Sequence, residues 1–264
     1  FALVSTVLRD HAKTMRGAVA KIMQIGSCVR GLLPYELRDQ LQELYHQIQP
    51  MPDRDVKKIF QADFQQDPEQ VFEVWNTNPF AAGTIGQVHY AEQGGERLAV
   101  KVKYKHIRKE IASDFKAMRQ LAAVVQAAYP NQQIKPLFLF WEELIQKECD
   151  YENERQRQIE AAGIFSDEPD LRVPQIVDRY CTANILTMEY VEGQTLPQFV
   201  VNAKQTERDR VTRQILRSAL KVLALGNNKY DFHPGNFLVQ GETLYLIDFG
   251  AMVSRTCLKN TFST

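Results

Sequence analysis

The chain has 264 residues, of which 44% are hydrophobic and 24% are charged, as in a globular protein with a sizeable core. Lys plus Arg and Asp plus Glu both number 32, and this balance argues against nucleic acid as a partner, because phosphate binding usually requires a basic excess. The four cysteines lie far apart without a CxxC pair, and no signal peptide or apolar run of membrane-helix length is evident, so the chain is predicted to be cytoplasmic.

The first seventy residues are predicted to be helical, because apolar residues recur at helical spacing. Pro34 is predicted to begin one helix, and Met51–Phe64 is predicted to form a later one. The amphipathic segment Phe1–Ile25 suits packing against the rest of the fold, which we favour, or contact with a bilayer.

From about Val71 the pattern changes, and two β-prone runs around Gly94-Gly95 predict a hairpin. Helices are predicted over 106–129, over 136–162 and over 206–225, with strands at "RVPQIVDRY" and "NILTMEYV". The last of these helices is expected to present one apolar side, formed by Val211, Ile215, Leu216, Ala219, Val222 and Leu223.

The segment Ala81–Val88 has the form A-x-G-x-x-G-x-V and precedes a strand. Glycines in such a loop let backbone N–H groups approach phosphates closely. A dinucleotide-binding site would need the loop to open a helix directly, whereas here it opens a strand. An ordinary small-residue hairpin loop is the alternative. The candidate nucleotide-binding positions are Ala81, Ala82, Gly83, Thr84, Gly86 and Val88.

Lys101 stands in the apolar run "LAVK", where an unpaired buried ammonium would be costly. A nucleotide phosphate and a helix carboxylate would stabilise it; the alternative is a solvated lysine on an edge strand, as expected for Lys103 and Lys105. In "QKECDYENE", Asp150 and Glu154 are four residues apart and are predicted to share one face provided that the helix is regular. A solvated acidic face is the alternative for this pair.

The most specific segment is "YDFHPGNFLVQGETLYLIDFG" at Tyr230–Gly250. An Asp and an Asn five positions apart, then a strand, a turn, a strand and Asp-Phe-Gly, match a phosphotransferase arrangement. Asp231 is the predicted residue that orients or deprotonates the acceptor hydroxyl or water. Asn236 and Asp248 supply oxygen ligands suited to Mg²⁺. The predicted hairpin brings these two ligands together beside Asp231.

With these motifs in this order, the chain resembles the UbiB-like atypical kinases, a branch of the protein-kinase-like superfamily. The matching segments span nearly the whole chain: "KIMQIGS", "PFAAGTIGQVH", "AVKV", "ECDYENE", "MEYVEG", "DFHPGNF" and "LIDFG". The resemblance implies an α+β, two-lobed kinase-like fold with an extra helical N-terminal segment. The implied domains are a helical extension at 1–70, an N-lobe at 71–192 and a partial C-lobe at 193–264, and the short stretch after Asp-Phe-Gly predicts a truncated form or a fragment.

The resemblance also implies roles for residues near the N-terminus. By position, Lys21 and Gln24 correspond to the ends of the family's K-x-G-Q segment, which packs over the active site. Glu148 and Asp150 match the family's E-x-D motif, the expected partner of Lys21. These four residues are therefore predicted to be regulatory.

Within the kinase-like part, Glu154 matches the glutamate that pairs with the nucleotide-contacting lysine, here Lys101. Glu189 and Val191 would lie in the hinge, where backbone groups meet adenine. Lys101, Glu154 and Asp231 are thus the predicted catalytic set, with ATP and Mg²⁺ as cofactors.

The chain departs from the family pattern at several positions. Met23 stands where the family has glycine, and Gly83 and Thr84 replace an alanine and a serine of its alanine-rich loop, which makes the loop more like an ordinary kinase glycine loop. Around Asp231, "KYDF" stands in place of the family's H-A-D-P, so Lys229 replaces a histidine and Phe232 replaces a proline.

The resemblance implies an ATP- and Mg²⁺-dependent kinase or ATPase that supports ubiquinone or other prenyl-lipid metabolism. The implied partners are a lipid or quinone-precursor ligand and a membrane surface contacted peripherally. Two alternatives stay open: a nucleotide-binding pseudokinase scaffold, and a small-molecule kinase of the aminoglycoside or choline type. The K-x-G-Q-like segment and the E-C-D motif do not belong to the latter class.

Overall fold

The structure, a computed structural model, describes residues 50–83, 85–128, 142, 145, 146, 149–225 and 234–250. Two compact units make up the chain. The first comprises Phe1–Asp67, Thr77–His89 and Val102–Cys149, and the second comprises Pro68–Asn76, Tyr90–Lys101 and Asp150–Thr264. The lobe boundaries expected from the sequence stay a prediction.

The described residues form runs of helices and runs of strands that follow one another along the chain. The helices are α1 (Asp53–Phe64), α2 (Pro68–Val71), α3 (Ile107–Ala128), α4 (Tyr151–Ile164), α5 (Leu196–Asn202) and α6 (Gln205–Ala224). The strands are β1 (Val74–Trp75), β2 (Ala81–Ala82), β3 (Gly86–Gln93), β4 (Glu96–Lys103), β5 (Leu171–Arg172), β6 (Ile185–Glu189), β7 (Gln194–Thr195), β8 (Phe237–Gln240) and β9 (Thr243–Leu246). Among the described residues, no helix combines the length and apolar character needed to cross a bilayer.

The first sheet has the strand order β1-β3-β4-β6, with β2 paired to β3. Gly94 and Gly95 connect β3 to β4 with φ angles of 60° and 79°, a left-handed conformation that glycine adopts without strain. The hairpin predicted from the sequence is therefore confirmed. Because β4 lies between two other strands, it is buried along most of its length, and Lys103 is only 3% exposed. The expectation of a solvated Lys103 was wrong, since β4 is not an edge strand.

Helices α1 and α3 lie where the sequence predicts helices. Helix α1 buries Val56, Ile59 and Phe60, and it ends where Gln65 adopts a left-handed φ of 59°. Helix α3 buries Ile107, Ile111 and Phe115 on one face. Residues three and four positions apart share a helix face, so both patterns indicate one packed side.

Helix α6 packs by a different stripe from the one expected. Val211, Gln214, Ser218 and Val222 are buried, whereas Leu216 and Leu223 are 56% and 59% exposed. The buried stripe mixes apolar and small polar residues. The assignment of Leu216 and Leu223 to the packed side was therefore wrong.

The segment 172–180 is not the continuous strand that its composition predicts. Only Arg172 belongs to a strand, Ile176 makes an isolated bridge to Met188, and Asp178–Tyr180 form a 3₁₀ turn. Pro174 has no N–H to donate to a ladder, which limits strand pairing here. The second predicted strand is confirmed as β6.

The second sheet has the order β5-β9-β8-β7 and lies within the second unit. Strands β8 and β9 are antiparallel, with Phe237 opposite Leu246, and the turn uses Gly241 at a φ of 59°. Its core is a cluster of buried residues: Ala161, Phe165, Leu171, Val173, Val211, Val222, Phe237, Val239, Leu244, Leu246 and Phe249. The hairpin predicted before Asp-Phe-Gly is confirmed, and its apolar face anchors it.

Candidate functional site

Lys101 lies near the end of β4, with its side chain 21% exposed. Side chains alternate between the two faces of a strand, so Lys101 points away from the face occupied by the fully buried Val100 and Val102. A lysine at this position can keep its long apolar stem among buried neighbours while its ammonium reaches other polar groups.

Two carboxylates flank the Lys101 ammonium. Its Nζ donates to Oε1 of Glu154 at 2.6 Å and lies 4.0 Å from Oδ1 of Asp248. The Tyr151 ring centroid is 5.5 Å from the same nitrogen, within the range of a cation–π contact. One cation, two anions and an aromatic face therefore meet within the second unit.

The two carboxylates differ in burial. The Glu154 side chain is 1% exposed, whereas that of Asp248 is 39% exposed. An anion as deeply buried as Glu154 needs a close cation, because desolvation of a charge is costly. Asp248 instead remains accessible to a ligand.

The pKa of Lys101 reflects this surrounding. Burial, the largest effect, lowers the pKa of the ammonium, but the charges of Asp248 and Glu154 and the hydrogen bond to Glu154 together outweigh it. The net result is a pKa well above the ordinary value for lysine. Lys101 is therefore a fixed positive charge at physiological pH, suited to contact a phosphate.

Asp150 begins helix α4 rather than sharing its face with Glu154. Its backbone is extended, with φ −105° and ψ 90°, and its side chain accepts from the Asn153 N–H at 3.4 Å. A helix running unbroken through Asp150, and the shared face with Glu154, were therefore wrong predictions. Asp at the position before a helix is the usual N-cap, since its carboxylate binds free N–H groups of the first turn.

Asn236 and Asp248 lie at the open end of the β8–β9 hairpin. The Asn236 carbonyl accepts from the Ile247 N–H at 3.0 Å, which extends the ladder by one residue and places Asp248 directly after it. Oδ1 of Asp248 accepts from the Gly250 N–H at 2.9 Å. The hairpin register thus brings the two predicted metal ligands to the same end of one short sheet segment.

The donor chemistry of this pair fits Mg²⁺. The described residues contain no group of three or more His, Cys, Asp or Glu side chains arranged to hold a metal ion. Magnesium in phosphotransfer sites does not need such a cluster, because it usually takes one or two protein oxygens and fills its other positions with phosphate oxygens and water. One carboxylate and one amide oxygen meet that requirement.

The predicted hinge, residues 189–191, begins at the last residue of β6. Within it, the Glu189 N–H donates to Gln175 at 2.8 Å and the Tyr190 N–H donates to Arg97 at 2.9 Å, both to backbone carbonyls. The Val191 carbonyl accepts from the Gly193 N–H at 3.1 Å. In the part of the chain that the structure describes, no group accepts the Val191 N–H, so this amide is suited to a ligand acceptor.

The glycine-containing loop belongs to the first unit. Ala81 and Ala82, both exposed, pair with Val88 and Gln87 of β3. The Gly83 N–H donates to the Gly86 carbonyl at 2.8 Å, so this amide already serves the turn rather than a ligand. The loop opens a strand, as the sequence indicates.

A buried polar cluster beside this loop has no counterpart in the sequence-based predictions. The Gln87 side chain accepts from the Met51 N–H at 2.6 Å, donates to the Met51 carbonyl at 3.2 Å and lies 2.9 Å from Nε2 of His89. Gln87 and His89 are both fully buried. The sequence offered one sign of this burial: Gln87 and His89 are each two positions apart from the next residue of the set that ends at Ala91, so all three lie on the same face of β3.

Five of the predicted site residues lie outside the described residues: Lys21, Gln24, Thr84, Glu148 and Asp231. The predictions for them stay predictions. Of the remaining set, the structure brings Lys101, Glu154 and Asp248 together and places Asn236 at the hairpin end that carries Asp248.

Comparison with known proteins identifies the family. A family model described as the ABC1 atypical kinase-like domain matches residues 43–260. The chain is 30% identical over 251 residues to "Atypical kinase COQ8, mitochondrial" of Saccharomyces cerevisiae, covering 90% of this chain and 48% of that protein. It is also 30% identical over 257 residues to "Protein ACTIVITY OF BC1 COMPLEX KINASE 8, chloroplastic" of Arabidopsis thaliana, covering 94% of this chain and 34% of that protein. The chain thus spans half or less of these relatives.

A solved structure supports the same fold. The chain resembles the Mycobacterium tuberculosis protein Rv3197 in complex with erythromycin, with a TM-score of 0.68, 23% identity, and coverage of 96% of this chain and 64% of that one. The α+β, kinase-like fold class predicted from the sequence is confirmed. Because the family model matches most of its length, the chain belongs to the ABC1 atypical kinase-like family, the group that includes the UbiB-like kinases it resembles.

Proposed function

We propose that the chain is an ATP- and Mg²⁺-dependent atypical kinase or ATPase of the UbiB type. The observation that carries the proposal is the Lys101 ammonium held between Glu154 at 2.6 Å and Asp248 at 4.0 Å. In phosphotransferases a lysine so placed contacts nucleotide phosphates, while a buried glutamate keeps it in position.

Each residue has a role in this proposal. Lys101 neutralises phosphate charge, and Glu154 orients it. Asn236 and Asp248 hold Mg²⁺, which neutralises charge on the phosphates and orients them when it is bound. The Val191 N–H donates to the adenine ring. Rate enhancement then comes mainly from positioning and charge stabilisation.

Two parts of this proposal are supported by the sequence alone. Asp231 orients the attacking hydroxyl or water, and the loop Ala81–Val88 contributes to nucleotide binding. The resemblance also supports a role in ubiquinone or other prenyl-lipid metabolism, with a lipid or quinone-precursor ligand presented at a membrane surface.

ADP release by the purified chain, with MgCl₂ and ATP, tests the proposal. We expect turnover in the wild type and its loss in Asp248→Ala, since that variant lacks a predicted metal ligand. Lys105→Met, which changes an exposed lysine two residues beyond β4, serves as the matched control and should retain turnover. Binding of a fluorescent ATP analogue is measured in parallel.

The outcomes separate the alternatives. Nucleotide binding without turnover in the wild type would support a pseudokinase scaffold instead. Turnover stimulated by soluble aminoglycosides or choline, and not by anionic vesicles carrying a phenolic prenyl-quinone precursor, would support a small-molecule kinase. Stimulation by the vesicles is the result expected for the proposed class.

A further inference from the structure

Arg157 connects helix α4 to the Asp-Phe-Gly segment. Its Nη1 donates to the Gly250 carbonyl at 3.2 Å. Gly250 in turn donates its N–H to Oδ1 of Asp248 at 2.9 Å, and the intervening Phe249 is fully buried in the core of the second unit. The guanidinium therefore holds the residue whose N–H binds the Asp248 carboxylate.

These contacts close a ring. Arg157 lies three residues after Glu154, so both side chains project from one face of α4. From that face Glu154 reaches Lys101 at 2.6 Å, and Lys101 lies 4.0 Å from Asp248. Arg157 completes the circuit back to the helix through Gly250. The helix is thus linked to Asp248 by two routes, one through Lys101 and one through Gly250.

The position of Asp248 depends on both of its flanks. On the N-terminal side, the ladder bond from Ile247 to Asn236 fixes the backbone at 3.0 Å. On the C-terminal side, the bond from Arg157 to Gly250 does so. A guanidinium suits this task for two reasons. Its permanent charge makes a bond to a carbonyl stronger than a bond between neutral groups, and its donors lie in a rigid plane, which fixes their direction.

We infer that Arg157 is a positioning residue for Asp248, which keeps that carboxylate aimed at the bound cation. The inference rests on the proposed function, in which Asp248 is a Mg²⁺ ligand. Groups that orient a metal ligand typically change metal affinity by about 10–100-fold when they are removed. Arg157 reaches Asp248 through Gly250 and would reach the cation through Asp248, so we expect metal-free nucleotide binding to be independent of it.

The test measures cation binding rather than turnover. Mn²⁺ is titrated calorimetrically into the purified chain with a non-hydrolysable ATP analogue, and binding of the same analogue is measured separately in EDTA. For Arg157→Met we expect Mn²⁺ affinity to fall by about 10-fold or more, with analogue affinity in EDTA within about twofold of wild type. Arg157→Lys keeps one charged donor and should recover part of the loss.

Arg155→Met is the matched control. Arg155 lies two residues earlier on the same helix but binds Glu152 and Asp178, away from Asp-Phe-Gly. The Mn²⁺ affinity of Arg155→Met should equal that of wild type. Wild-type Mn²⁺ affinity in both Arg157 variants, or an equal loss in Arg155→Met, would overturn the inference, as would a parallel loss of analogue affinity in EDTA. A wild type that binds no Mn²⁺ with the analogue would instead refute the proposed function.

Discussion

Replacing Glu154 by Gln tests how strongly the buried carboxylate holds Lys101. The substitution preserves size and a hydrogen-bond acceptor but removes the charge. A hydrogen bond that involves a charged group contributes about 1.5–3 kcal/mol. Because Lys101 stays charged, the wild-type bond between two charges, with Glu154 1% exposed and 2.6 Å from Lys101 Nζ, belongs at the upper end of this range, and the variant's bond from Lys101 to a neutral amide belongs at the lower end. The expected loss in the free energy of unfolding is therefore about 1–2 kcal/mol.

The loss should stay below the roughly 3–5 kcal/mol typical of breaking a buried ion pair. The reason is Asp248, whose Oδ1 lies 4.0 Å from the same ammonium and remains to balance it. Removing both charges, in Glu154→Gln with Asp248→Asn, should therefore cost more than the sum of the two single changes. Urea unfolding without nucleotide, followed by circular dichroism, measures all three variants.

Glu192→Gln is the control for this series. Glu192 accepts from Arg97, a residue of the same strand as Lys101, at 2.8 Å, but its side chain is 69% exposed. Exposed pairs contribute little, so its unfolding should match that of wild type. A Glu154→Gln loss as small as that of Glu192→Gln, or strict additivity in the double variant, would refute the shared-ammonium reasoning.

Three further predictions concern the second unit. The raised pKa of Lys101 means that the stabilisation of the fold by the Lys101 charge is complete below about pH 10.5, the ordinary lysine value, and is lost only as pH rises through the folded-state pKa. The difference in unfolding free energy between wild type and Lys101→Met should therefore stay constant from about pH 7 to pH 10. A slope in that difference would contradict the reasoning. Burial raises the pKa of the Cys181 thiol, so iodoacetamide at about pH 8 should label it at least about 10-fold more slowly in the folded than in the unfolded chain, as followed by peptide mass spectrometry. Gly193→Ala would bring a Cβ to 3.1 Å from Cβ of Leu238 and should cost about 1–3 kcal/mol in urea unfolding, whereas Gly163→Ala, in a helix with open space, should be neutral or stabilising.

Sequence patterns with strong local causes predicted the fold well. Gly94-Gly95 between two β-prone runs predicts a hairpin, because only a left-handed turn closes it readily. The apolar runs on either side of Gly241 predict the second hairpin for the same reason. The spacing of Asn236 and Asp248 then follows from the register, since residues flanking a short hairpin meet at its open end.

Predictions that depended on tertiary packing were less successful. The solvation of Lys103 depends on whether β4 is an edge or a central strand, which its own composition does not reveal. The outward position of Leu216 depends on which stripe of α6 meets the core. That stripe contains Gln214, whose burial is compensated by hydrogen bonds from its amide to the carbonyls of Asp170 and Glu242 at 3.1 and 2.8 Å. Such pairings join segments distant in sequence.

The features of the candidate site also differ in whether a local sequence pattern or a distant contact determines them. The pairing of Lys101 with a helix glutamate was inferred from the family motif and agrees with the 2.6 Å distance, although the glutamate's helix begins later than expected. Asp150 carries a local signal for that start, because Asp is a preferred N-cap. Arg157 carried none, since its partner is a backbone carbonyl of a residue 93 positions away.

Helix α4 is anchored largely by directional polar contacts. Arg155 reaches Asp178, Gln158 donates to the Pro174 carbonyl at 2.8 Å, and the other contacts run to Lys101 and Gly250. Hydrogen bonds weaken steeply when donor and acceptor are misaligned, whereas contacts between apolar surfaces are not directional and persist when one surface shifts along the other. A shift of one residue along the axis, about 1.5 Å, would disturb all of these contacts simultaneously. Displacement of this helix should therefore be abrupt rather than graded, with few stable halfway positions.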